Sequence, residues 1–186
     1  MRIARPLVFF ITAASVATGC AHYRSGLGHF RGPSSYGSRP DDIYLRSGEF
    51  KKQYSPNSPF RLYWPVTRAR VTQPFKRHPR HEGIDLGGHK GVPILAAHEG
   101  VIIYTGHDFS GYGKMVLLEY DNQWATLYGH LNDISVKEGM IVKPGDRIGG
   151  MGNTGRSTGT HLHFELMQNR QPIDPLSVLP RYRGLY

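Results

Sequence analysis

An all-β fold of antiparallel sheets, packed as a compact sandwich or curling towards a barrel, is predicted by three features of the sequence. From about Leu62, apolar runs with strand chemistry recur: VPILAA, GVIIYTG, KMVLLEY, WATLYGH, MIVKPGDRIGGMG and HLHFELM. Glycine (23), proline (13) and tyrosine (11) are abundant, a usage that suits short strands joined by tight turns. No 3.6-residue apolar period runs through the chain.

Each run has its own reason to be a strand. Val101-Ile102-Ile103-Tyr104 is β-branched and aromatic, so its side chains suit a pleated surface. Gly111-Tyr112-Gly113 and Asp121-Asn122 read as turns between strands, because Gly, Asn and Asp tolerate the conformations turns need. In His161-Leu162-His163-Phe164-Glu165 polar and apolar residues alternate, the two-residue period of a half-buried strand. The folded unit is placed at 61–180, with a short tail over 181–186.

The segment before it has a different character. Residues 21–40 carry GLGHFRGPSSYGSRP and no apolar period, and 20–60 is read as a flexible tether. Within it, 41–54 (DDIYLRSGEFKKQY) has room for a short helix resting on Tyr44, Leu45 and Phe50. Residues 1–19 have the layout of a secretory signal: Arg2 and Arg5, an apolar stretch from Leu7 to Ala14, then small residues. Ala17-Thr18-Gly19-Cys20 resembles a bacterial lipoprotein signal, although Leu is the commoner residue where Ala17 stands. That resemblance implies lipidation of Cys20, the chain's one cysteine, and anchoring to a membrane. Ala21 after it implies the outer membrane, facing the periplasm. The alternative is ordinary cleavage with Cys20 a bystander. The net charge of +9 suits polyanions, including cell wall with its carboxylates. No run of five Lys/Arg occurs, so no nucleic-acid partner is expected.

The chemistry concentrates in two clusters, His81-Glu82-Gly83-Ile84-Asp85 and His161-Leu162-His163-Phe164-Glu165, with His130 a third candidate. On a strand His161 and His163 project from one face while Leu162 and Phe164 point to the other. Asp85, four residues after His81, shares its face on an extended segment, and Glu82 then points away. Two imidazoles side by side among apolar neighbours need a partner, and zinc binds His nitrogen and Asp oxygen at roughly 2.0–2.2 Å. Singly, each piece has a plainer reading: a structural His-X-His, a surface ion pair, a hydrogen-bonded loop histidine. Their combination and order carry the case. His78, His89, His98 and His107 fall outside it and are expected on the surface or in loops.

These segments resemble the lysostaphin/LytM-type zinc endopeptidases of peptidoglycan, which have the duplicated hybrid motif fold. Besides the two clusters, the matching stretches are Gly91-Val92-Pro93-Ile94, Gly100-Val101, Gly111-Tyr112-Gly113, Tyr128-Gly129-His130-Leu131, Gly152-Asn153-Thr154-Gly155, Ser157-Thr158-Gly159 and Asp174-Pro175. The resemblance covers roughly 64–180. It implies that His81, Asp85 and His163 bind one Zn2+ ion. It further implies that His130 and His161 flank the open coordination position, one as general base and the other orienting substrate or stabilising an oxyanion. Three protein ligands leave a fourth position for water, the mark of a catalytic zinc site. Glu165 is assigned a supporting role behind the ligands. The implied substrate is the peptide cross-link of peptidoglycan, held between the loops near 107–112 and 150–160. Some relatives that lack part of the metal set activate cell-wall amidases instead; this sequence keeps all five positions, and amidases or division machinery remain implied partners. Lys76, His89-Lys90 and Thr160 depart from the usual family residues and bear on groove shape.

Overall fold

The computed structural model describes residues 58–68, 70–76 and 81–181. The signal segment, Cys20, the helix expected within 41–54 and His78 lie outside the described residues.

The architecture is antiparallel β throughout. Eleven strands are described: β1 (Val71–Gln73), β2 (Ile84–Gly87), β3 (Pro93–Leu95), β4 (Gly100–Gly106), β5 (Lys114–Tyr120), β6 (Trp124–Leu131), β7 (Asp133–Ile134), β8 (Ile141–Val142), β9 (Arg147–Gly150), β10 (His161–Gln168) and β11 (Gln171–Ile173). One turn of 3-10 helix follows at Pro175–Ser177, capped by Asp174, whose Oδ1 accepts from the Leu176 N–H at 3.0 Å. Eight strands form one sheet in the order β1-β2-β10-β6-β5-β4-β8, with β11 beside β10, and β3-β9-β7 form a second. Among the described residues no helix is long and apolar enough to cross a membrane.

Alternation along the strands sends side chains to two cores. Ile84 and Leu86 of β2, Val116 and Leu118 of β5, and Leu162, Phe164 and Leu166 of β10 join Ile94 of β3 and Ile148 of β9 in the main cluster. The small sheet therefore packs on one face of the large one, as the core-facing pattern predicts. The opposite face buries Val101, Ile103, Met115, Leu117, Leu127 and Met167 in a second cluster. Trp64 ties the start of the domain to its end, donating Nε1–H to the Pro180 carbonyl at 2.8 Å. Phe60 stacks on Trp124 with ring centroids 4.3 Å apart.

Turn chemistry explains the tight connections. Asp121 (φ 49°) and Asn122 (φ 55°) join β5 to β6 in the left-handed region, as their residue types allow. Asn169 (φ 50°) and Arg170 (φ 64°) do the same between β10 and β11. Asn169 suits such a turn but Arg170 does not, so that hairpin carries a weaker local signal than Asp121-Asn122.

Candidate active site

Strand register builds the site. His163 of β10 lies opposite Asp85 of β2 on one side and Gly129 of β6 on the other. Because Ile84 and Leu86 point into the main core, Asp85 points to the other face, where His161, His163 and Glu165 also project. Gly83 allows β2 to lie this close: a Cβ there would meet the Phe164 carbonyl oxygen at 2.4 Å.

His81, Asp85 and His163 come together, each offering a ligand atom within 4.8 Å of the others. Asp85 Oδ1 lies 3.1 Å from His81 Nε2 and 2.8 Å from His163 Nδ1. Each imidazole is held from behind. His81 Nδ1 is 2.9 Å from the Pro74 carbonyl, which can only accept, so Nδ1 donates there and Nε2 is the atom turned towards Asp85. His163 Nε2 lies 2.9 Å from Glu165 Oε1, leaving Nδ1 facing Asp85. Two imidazole nitrogens and a carboxylate oxygen, aimed at one spot and braced by oxygen acceptors, are a donor set that fits zinc.

Electrostatics reinforce the cluster. Burial alone would raise the Asp85 pKa, but hydrogen bonds from His163 and His81 outweigh it and hold the carboxyl well below the usual carboxylate range. Burial alone would lower His163; its bonds to Asp85 and Glu165 prevail and hold it up at about 9.

His130 and His161 stand beside this cluster. Their rings are 4.8 Å apart, and His130 is 5.9 Å from the His163 ring, centroid to centroid. Both are tethered through Nδ1 to backbone carbonyls: His130 to Thr154 at 2.8 Å, His161 to Gly159 at 2.9 Å. Neutral rings held this way present Nε2 as a base. His161 Nε2 is 3.7 Å from Asp85 Oδ2, which places it at the cluster's edge. Burial, only partly offset by Thr154, lowers the His130 pKa and favours the neutral ring.

All five histidine and aspartate positions predicted from the sequence thus converge. One arrives by a route that alternation does not give. With Tyr128 in the main core, regular pleating would send His130 to the same face; a left-handed backbone at His130 (φ 61°) turns it into the site. The loops near 107–112 and 150–160 are joined by the Arg156 N–H donating to the Gly111 carbonyl at 2.8 Å. Glu165 is buried at 2% exposure and supports His163 from behind. The sequence marks Tyr112 only as part of a turn. Its hydroxyl donates to Glu165 Oε1 at 2.8 Å, and burial followed by the Glu165 charge pushes its pKa far up, so it stays a donor. Of the remaining histidines, His89 and His107 are exposed, as expected. His98 occupies a bend but is fully buried: it belongs to the interior, because its ring fills a polar niche between Glu99 and Thr126.

Comparison with known proteins agrees with this arrangement. A profile of Peptidase family M23 matches residues 79–175, and the chain belongs to that family. A lipoprotein NlpD/LppB homolog of Pseudomonas aeruginosa is 36% identical over 118 residues, covering 63% of this chain and 39% of its own length. The DD-carboxypeptidase/endopeptidase Mpg of Neisseria meningitidis serogroup B is 42% identical over 122 residues, covering 61% and 28%. The murein hydrolase activator NlpD of Escherichia coli is 34% identical over 119 residues, covering 63% and 31%. The match therefore spans well under half the length of these relatives. Among solved structures, a zinc-containing peptidase from Vibrio cholerae superposes with a TM-score of 0.57 at 32% identity, covering 62% of this chain and 39% of that one. Lysostaphin from Staphylococcus simulans gives 0.58 at 30%, covering 63% and 53%.

Proposed function

We propose that this chain is a zinc-dependent endopeptidase that hydrolyses peptide cross-links of bacterial peptidoglycan. The observation that carries the reading is the convergence of His81, Asp85 and His163 on one point, with His130 and His161 beside it. In this reading those three residues hold one zinc ion. Zinc supplies Lewis acidity, making water more acidic and polarising a carbonyl oxygen.

The remaining work falls to His130 and His161. One takes the proton of the attacking water on Nε2. The other, protonated or hydrogen-bonded, orients the substrate carbonyl or steadies the developing oxyanion. Thr154 and Gly159 keep both rings in the tautomer this needs. We assign the lipid anchor to Cys20 and the outer membrane, facing the periplasm, as the location. Those assignments rest on the signal-like residues 1–20 and on Ala21 after them.

A second reading is favoured by one comparison: a relative is named a murein hydrolase activator. In that case the domain stimulates a cell-wall amidase. Incubating the purified chain with wall sacculi and identifying released fragments by mass decides between them. New muropeptides from cut cross-links support the enzyme. No release, together with stimulation of an added amidase, supports the activator.

A further inference from the structure

Three contacts meet at Tyr112, in the turn before β5. Its hydroxyl donates to Glu165 Oε1 at 2.8 Å, and the same oxygen lies 2.9 Å from His163 Nε2. Its ring packs 5.7 Å from the His163 ring, centroid to centroid. Its carbonyl accepts the His130 N–H at 2.7 Å. The adjoining Gly113 is locked too, because a Cβ there would lie 2.4 Å from the Thr154 carbonyl carbon.

We infer that Tyr112 is a positioning residue for the metal site, its hydroxyl clamping Glu165 so that His163 keeps Nδ1 turned towards Asp85 and His81. The inference rests on the reading of those three residues as zinc ligands. The physical need is plain. A histidine can flip about its Cβ–Cγ bond, and a flip of His163 would carry Nδ1 away from Asp85. Glu165 opposes the flip by accepting from Nε2–H, but a carboxylate can itself swing. An O–H from Tyr112 donated to the same oxygen removes that freedom. Partners behind metal ligands commonly contribute 10- to 100-fold in metal affinity.

The test is zinc affinity, measured on the full chain by competition with a chromophoric chelator, for wild type, Tyr112→Phe, Glu165→Ala and the double variant. Tyr112→Phe is expected to weaken zinc binding by about 10-fold, and Glu165→Ala by about 10- to 100-fold. In the Glu165→Ala background, Tyr112→Phe should then cost less than about twofold, because the clamp has lost its target. Tyr104→Phe is the control. It also removes a hydroxyl bound to a carboxylate, Asp108 Oδ2 at 3.1 Å, and should leave zinc affinity unchanged. Thermal unfolding of the zinc-free variants reads folding separately; if Tyr112→Phe does not fold, Glu165→Ala carries the test, because a clamp acting through Glu165 requires a loss of about 10-fold or more there, and wild-type affinity in that variant overturns it. Wild-type affinity in Tyr112→Phe, or an equal loss with and without Glu165, overturns the clamp alone. A wild-type chain that takes up no zinc overturns the ligand reading and the clamp with it.

Discussion

At the scale of single residues, ligands and bases should separate by what their loss removes. His163→Ala takes away a donor nitrogen, so both zinc content and cutting are expected to vanish. His130→Ala leaves His81, Asp85 and His163 untouched; zinc should stay near one per chain while cutting falls by about 10²- to 10⁴-fold. Metal analysis beside a sacculus digest checks both, and equal zinc loss in the two variants would mean the ligand assignment is wrong. His98 gives a prediction about stability. Burial lowers its pKa from 6.5 to about 4, since the ring sits dry, with Nδ1 2.7 Å from the Glu99 carbonyl and Nε2 2.9 Å from Thr126 Oγ1. The unfolded chain takes up the proton first, so the stabilisation is complete above pH 6.5 and is lost as pH falls from 6.5 towards 4. Between pH 7.5 and 5, wild type should lose about 2 kcal/mol more than His98→Gln, read by denaturant unfolding at each pH. The two HxH histidines and Asp85 were legible in the sequence because a two-residue period assigns faces without knowledge of partners. His98 was not, because nothing local tells a bend histidine that Thr126, far along the chain, will close over it.

At the scale of elements, the site depends on two loops held against each other. Gly113 sits at φ 62°, and a Cβ there would strike the Thr154 carbonyl carbon at 2.4 Å and the Gly155 nitrogen at 2.5 Å. The Thr154 carbonyl is also what holds His130. Gly113→Ala should therefore push the 152–156 loop outward, destabilise the fold by about 1–3 kcal/mol, and cut activity by roughly 100-fold while zinc remains bound. Gly159→Ala is the contrast: a Cβ there meets nothing within 4 Å, so activity and zinc content should both stay near wild type. The strands themselves were largely legible, from runs such as KMVLLEY and HLHFELM that became β5 and β10. The left-handed turn at His130 was not, since a histidine gives no sign of departing from its strand's pleat. The braces on His81, His130 and His161 were equally silent. They are main-chain carbonyls of Pro74, Thr154 and Gly159, and any residue type could have supplied them.

At the scale of the whole molecule, the site draws on segments far apart in sequence: His81 and Asp85 near one end of the domain, His130 in its middle, and His161 and His163 near the other. A metal gripping His81, Asp85 and His163 ties the first of these segments to the last and stabilises only the folded chain. At 100-fold excess over its dissociation constant zinc should add about 2.7 kcal/mol, and stripping it with a chelator should lower Tm by roughly 10 °C. A scan with and without chelator measures this; an unchanged Tm would mean that no metal bridges these segments. The fold class could be read from the chain alone, because strand chemistry and turn residues are local. The register that sets Asp85 opposite His163 could not, because it is a pairing between residues 78 positions apart. That pairing has a further consequence. β10 is flanked by β2 on one side and β6 on the other, so its amides are locked from both edges. The backbone protons of Leu162 to Leu166 should exchange with deuterium only when the entire domain opens, which makes the strand bearing the chemistry the slowest part of the protein to come apart.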